Sequence, residues 1–133
     1  MEIPFLSLQA INKKYEDFLK VAFEEFLNSG FYMLGKSVKT FETNFAQYCE
    51  ANYCAGVANG FDALVLILNS FNFPKDAEVM VPANTYFASI LAIKKAGLKP
   101  ILVEPNLDDY LINVENIRKA VSKKTAAVMS VNL

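Results

Sequence analysis

The chain contains no histidine, only two cysteines, five glycines and five prolines, and no apolar run of membrane-spanning length. Lack of histidine excludes Ser-His and Cys-His nucleophilic machinery, histidine general bases and histidine metal ligation within these residues. No metal site is expected. Two cysteines, Cys49 and Cys54, are too few for a disulfide framework and read as small buried apolar groups of a cytoplasmic protein. Excess charge is absent too: the net charge of −1 offers no field for nucleic acid or an anionic membrane. The start, MEIPFLSL, lacks the basic and apolar regions of a signal peptide. Any chemistry must therefore come from Lys, Tyr, carboxylates, backbone amides or a bound cofactor.

What is present is apolar residue, 53% of 133, enough for one domain with a sizeable core. Residues 3–11 read as an extended arm. Lys13 to Leu27 reads as a helix, with Tyr15, Phe18, Leu19, Ala22, Phe23, Phe26 and Leu27 on one face and Ser29-Gly30 ending it. Its aromatic stripe suits core or subunit interface. GFYMLG, Gly30 to Gly35, is apolar and bracketed by glycines, so it is buried or pressed against a partner. Ser37 to Glu50 reads as a second helix, with Ser37 as its N-cap.

From there a unit repeats. Strand-like runs begin near Cys54, Val79, Ile101 and Ala126, and helical patterns lie between them at Phe61–Ser70, Tyr86–Ala96 and Val114–Val121. Such alternation predicts right-handed crossovers and an α/β fold: a three-layer, mostly parallel sheet with helices on both faces, preceded by two N-terminal helices. Residues 1–52 would be arm and helices, and 53–133 the βα repeats. The chain stops as its fourth strand reaches its carboxyl end, where α/β sheets carry their functional loops, and so reads as an N-terminal part.

The stretch YCAGVANGFDALVLILNS, Tyr53 to Ser70, is organised as strand, Asn59-Gly60 turn and helix start. The inward stripe expected of that helix is Ala63, Leu64, Ile67 and Leu68, widened by Leu66. Unpaired amides in a first helical turn can take an anion; alternatively, Asn-Gly only turns the chain between packed elements. A second turn, VPANTY from Val81, ends its strand at Pro82, offers Asn84 or Thr85 as a cap, and puts Tyr86 in the next helix's first turn. Both turns fall on one edge of the predicted sheet, an arrangement fit for a flat, phosphorylated heteroaromatic ligand.

With these pieces in place, the chain resembles the PLP-dependent nucleotide-sugar aminotransferases, the DegT/DnrJ/StrS group of fold-type-I enzymes. The matching segments, from Ile3 to Leu133, are IPFL, GFYMLGKSVKTFETNFAQYC, GVANGFDALVLIL, EVMVPANTYFASILAI, GLKPILVEP and KTAAVMSVNL. The resemblance implies a pyridoxal 5'-phosphate cofactor, its phosphate held by the backbone amides of Gly60, Phe61 and Asp62 and its ring stacked on Tyr86. It implies transfer of an amino group from a donor such as glutamate to a nucleotide-linked keto-deoxysugar, dTDP-linked by the PANTY and VEP segments. It also implies a homodimer, with GFYMLG near the active site or the dimer interface.

Three positions depart from the pattern: Phe61 stands where Thr or Ser is usual, Ala77 where an acidic residue is common, and Asn132 where histidine is common. The family's Schiff-base lysine falls beyond Leu133, and no lysine here sits at a strand's carboxyl end, so no catalytic residue is assigned. Lys36 is expected in a flexible segment. Two other readings remain open: a stand-alone α/β module holding a phosphorylated ligand, and a non-catalytic assembly piece.

Overall fold

The computed structural model describes residues 4–132. Ile3 and Leu133, the outer limits of the resemblance, lie outside the described residues. The chain forms two compact units, residues 1–56 and 57–133.

The first unit is helical. The helix α1 (Leu8–Asn12) occupies part of the predicted arm, started by Ser7, whose hydroxyl accepts from the Ala10 amide. That cap was legible as Ser before an apolar stretch, but the helix is too short to show a period. A 3₁₀ turn at Lys13–Tyr15 leads into α2 (Glu16–Ser29), which Gly30 ends in the left-handed region at φ 68°. Next, α3 (Lys36–Tyr48) begins one residue earlier than expected. Gly35 is its N-cap and no side chain caps it, so Ser37 is inside the helix and Lys36 is its first residue, not part of a loose segment.

Ala46 is the one buried residue among those described in this unit. Tyr15 of the 3₁₀ turn, Phe18 and Phe23 on α2, and Phe31, Tyr32, Met33 and Leu34 of GFYMLG are exposed. Among the described residues of this unit, therefore, the stripe does not form a buried core.

The second unit carries the sheet. The helix α4 (Gly60–Ser70) precedes β1 (Glu78–Pro82), α5 (Phe87–Lys95), β2 (Lys99–Val103), α6 (Val114–Ala120) and β3 (Thr125–Val128). Strand order is β2-β1-β3, and both pairings are parallel. The central strand β1 is buried at every position. Its edge neighbours are only partly covered, and Pro100 is accommodated on the edge strand β2. The path steps one way from β1 to β2 and the other way from β2 to β3, so right-handed crossovers place α5 and α6 on opposite faces.

The predicted strand at Tyr53 is not one. Residues 53–57 are irregular, with no ladder partner, and the Gly56 amide bonds the Glu42 carboxylate at 2.7 Å. An apolar run becomes a strand only when a neighbour takes its backbone groups. The boundary between the units accordingly falls at Gly56/Val57, four residues beyond the expected position.

The core of this unit joins Leu68 of α4, Val79 and Val81 of β1, Ala92 and Ile93 of α5, with Ala77 and Leu98. Phe61, Leu64 and Val65 complete the inward stripe of α4, while Leu66 and Ile67 are exposed. The stripe is thus rotated from the one expected, because a helix apolar on most sides does not reveal which face meets the sheet. Each fully buried Val or Ile contributes about 1.5–3 kcal/mol. Ala77, buried at 6% exposure, fits this apolar setting better than an acidic side chain would.

Glu78 ties the amino-terminal edge of the sheet together. Its carboxylate accepts from the Ser122 hydroxyl and pairs with Lys99 Nζ at 3.3 Å. The Ser122 bond chiefly, with the Lys99 bond and the charges of Lys99 and Lys124, holds the carboxyl below its usual pKa against the opposing effect of burial. The unfolded chain therefore protonates first, at about pH 4.3. The carboxylate's stabilisation is complete above that pH and is lost as pH falls through the lower folded value. Glu78→Gln is expected to lower the melting temperature at pH 7, with the difference from the unsubstituted chain shrinking below about pH 4. Melts across pH check this; a gap independent of pH would refute it.

Candidate functional site

The start of α4 is built by its own residues. Asn59, in extended backbone, caps the helix: its Oδ1 accepts from the Asp62 amide at 2.9 Å. Its Nδ2 donates in return to Asp62 Oδ2 at 3.1 Å. Sequence reasoning had Asn59 as a turn former; the reciprocal bond with Asp62 is a capping signal in the N-x-x-D spacing. One consequence bears on the expected cradle. The Asp62 amide is already bonded, and the Gly60 and Phe61 amides are the two with no partner among the described residues.

Those two amides lie open. A Cβ built on Gly60 meets nothing within 4 Å, and Gly60 does not have the positive φ that its sequence context allowed. The Phe61 ring packs against the core, which accounts for an aromatic residue where a hydroxyl is usual: the side chain serves the fold. With the positive end of the helix dipole, the pair can hold one anionic oxygen cluster. The depression beside them, about 320 Å³ and lined by Val57, Ala58, Asp62, Val65 and Leu66, is apolar with one carboxylate and would repel an anion.

Tyr86 is the N-cap of α5, one position before the first turn where it was expected. No side chain caps that helix. Thr85 does not bond the helix backbone; its hydroxyl donates to Ser89 Oγ at 2.9 Å. Asn84 turns away, donating from Nδ2 to the Tyr110 carbonyl at 3.0 Å. The Tyr86 ring is 81% exposed, and its hydroxyl makes no hydrogen bond among the described residues. The chain thus spends no packing on this ring. α4 and α5 pack directly against each other, so the open amides and the free ring belong to adjoining helices.

Among the described residues no group of three or more His, Cys, Asp or Glu converges to hold a metal, and no helix is long and apolar enough to cross a membrane. Of the lysines in the sheet-bearing unit, Lys94 and Lys95 lie in the last turn of α5, Lys99 at the start of β2, and Lys123 and Lys124 before β3, whereas Lys119 of α6 lines a shallow depression with Leu102 and Val103 at the carboxyl end of β2.

Comparison with known proteins adds the following. The DegT/DnrJ/EryC1/StrS aminotransferase family matches residues 13–133. The chain is 47% identical over 131 residues to the dTDP-3-amino-3,6-dideoxy-alpha-D-galactopyranose transaminase of Aneurinibacillus thermoaerophilus, covering 98% of this chain and 36% of that protein. It is 37% identical over 131 residues to the dTDP-3-amino-3,4,6-trideoxy-alpha-D-glucose transaminase of Streptomyces venezuelae, covering 98% of this chain and 35% of that protein. The crystal structure of S. venezuelae DesV superposes with a TM-score of 0.90 at 37% identity, over 96% of this chain and 34% of that one. The E. coli GDP-4-keto-6-deoxy-D-mannose-3-dehydratase with bound hydrated PLP gives 0.84 at 26% identity, over 100% of this chain and 34% of that one. The chain spans about a third of the length of these relatives.

Proposed function

The chain belongs to the DegT/DnrJ/EryC1/StrS aminotransferase family, and from that premise we propose that it is the N-terminal part of the large domain of a PLP-dependent sugar aminotransferase. The complete protein moves an amino group from a donor, glutamate by our reading, to a keto-deoxysugar linked to dTDP. The observation that carries this reading is the likeness to a dTDP-sugar transaminase along nearly the whole chain. PLP, when bound, supplies the electron sink for amino transfer.

The residues described here bind and orient. The Gly60 and Phe61 amides donate to the cofactor phosphate at the start of α4, and Asn59 with Asp62 keeps that turn in shape. Tyr86 offers its ring face to the pyridine. The exposed aromatic stripe of α2 and the GFYMLG segment serve a homodimer interface, a use that suits large apolar side chains left uncovered. The open space above Gly60 and the unpaired amides fit a phosphate, and the unpacked ring fits a flat heterocycle.

Assay of the full-length protein carrying this chain, with PLP, glutamate and a dTDP-linked keto-deoxysugar, is expected to yield the amino sugar and 2-oxoglutarate. Failure to bind PLP would refute the reading. Binding PLP while removing a sugar hydroxyl without amino transfer would move the protein to the chemistry of the dehydratase it also resembles in fold.

The Tyr86 ring gives a finer test. Tyr86→Ala is expected to weaken PLP binding by about 0.5–1.5 kcal/mol, the worth of an aromatic contact beyond its buried area. Tyr86→Phe is expected to leave it unchanged, since the hydroxyl is unpartnered. Equal losses in the two variants would show that the hydroxyl, not the ring face, meets the ligand.

A further inference from the structure

The turn that presents Tyr86 is not held by its own helix alone. The ladder between β1 and β2 continues one step past Pro82, where the Ala83 amide donates to the Val103 carbonyl at 2.8 Å. Beyond it the two chains separate, one into the 82–86 turn and the other into a loop at residues 104–113. That loop is closed on itself: Pro105 bridges Ile112, the Asn106 amide donates to the Leu111 carbonyl at 2.9 Å, and the Tyr110 amide to the Asn106 carbonyl at 3.1 Å. Asp109 Oδ1 accepts from the Leu111 amide at 2.9 Å, and the Asn106 and Asn113 side chains bond each other.

Within this frame Tyr110 adopts φ 59°, a left-handed conformation that a bulky side chain takes only where its surroundings impose it. The carbonyl of this residue receives Asn84 Nδ2 at 3.0 Å, across 26 positions of sequence. Asn84 stands two residues before Tyr86, in a turn otherwise pinned by Ala83 and by the Thr85–Ser89 hydroxyl pair.

We propose that Asn84 is the positioning residue for Tyr86: through the Tyr110 carbonyl, the closed 104–113 loop fixes the direction in which the Tyr86 ring faces the cofactor. This rests on the reading of Tyr86 as the ring that meets PLP. The Asn84 side-chain amide is engaged by the Tyr110 carbonyl at 3.0 Å. That amide anchors a turn whose last residue has extended backbone and no side-chain cap of its own, so the anchor decides where the ring stands.

The experiment is a double-mutant cycle in the full-length apoprotein, read by PLP titration and by the visible circular dichroism of bound PLP. Asn84→Ala is expected to weaken PLP binding by about two- to tenfold, the range for one hydrogen bond, and to change the dichroic band. Asn84→Asp, of the same shape but facing the carbonyl with an acceptor, is expected to do the same, and it replaces the Ala variant should that fail to fold. In a Tyr86→Ala background either Asn84 substitution is expected to add no further loss, because the ring it positions is gone. Full additivity, or an Asn84 variant with native affinity and dichroism, overturns the proposal while leaving the reading of Tyr86 standing. If Tyr86→Ala itself binds PLP normally, the reading of Tyr86 fails and this proposal fails with it.

Discussion

Gly60→Val is expected to leave α4 folded and to cost the full-length protein its hold on the PLP phosphate by more than about tenfold, through loss of hydrogen bonds to a charged group worth about 1.5–3 kcal/mol each. Two features separate the effect on binding from any effect on folding. Gly60 is the first residue of α4 with no positive φ to lose, and a Cβ there meets nothing within 4 Å. Valine is also no worse in a helix than glycine. What the branched side chain does occupy is the space over the Gly60 and Phe61 amides, where an anionic oxygen must approach to about 2.9 Å. Gly60→Ala, with one methyl in place of three carbons, is expected to fall between. Thermal melts alongside PLP titration check the pair. A Gly60→Val protein that melts and binds as the unsubstituted one does would mean that the turn at 59–62 only redirects the chain.

The 133 residues on their own, incubated with PLP and reduced with borohydride, are expected to carry no stoichiometric pyridoxyl group on any single lysine, and to transfer no amino group from glutamate. An amine that attacks the cofactor aldehyde must be desolvated and placed beside the ring. Lys99 points its amine at Glu78, at the amino-terminal end of β1 and β2, whereas Tyr86 follows the carboxyl end of β1. Lys94 and Lys95 lie in the last turn of α5, a helix length away from Tyr86 at its start. Lys119 belongs to α6, on the opposite face of the sheet from α5. Mass spectrometry of the reduced chain decides it: one fully labelled lysine would place the reactive amine within these residues.

The two results bear on different parts of the same reading. The first asks whether the helix start binds an anion, the second whether this stretch supplies only the binding half of the chemistry. A dimer formed through the exposed face of α2 would be a third, independent matter, since the residues on that face lie in the unit that carries neither Gly60 nor Tyr86.

Local order was legible in the residues. The helix expected from Lys13 to Leu27 is found as a 3₁₀ turn and α2, its end at Ser29-Gly30 holds, and the parallel pairing appears for three of the four expected strands. Each depends on neighbours within a few positions, or on the alternation of strand and helix that forces a crossover. The absence of histidine likewise ruled out whole classes of chemistry before any fold was known.

The tertiary structure decided what pairs across distance. It left residues 53–57 without a strand partner, rotated the inward face of α4 onto Phe61, Leu64, Val65 and Leu68, and sent the Asn84 side chain to Tyr110 rather than to the helix it precedes. None of these is encoded in a period or a cap, because an apolar helix has several equivalent faces and an asparagine several acceptors within reach. Which face and which acceptor are used depends on where the sheet brings other segments, and that placement is a property of the assembled core rather than of any stretch of chain.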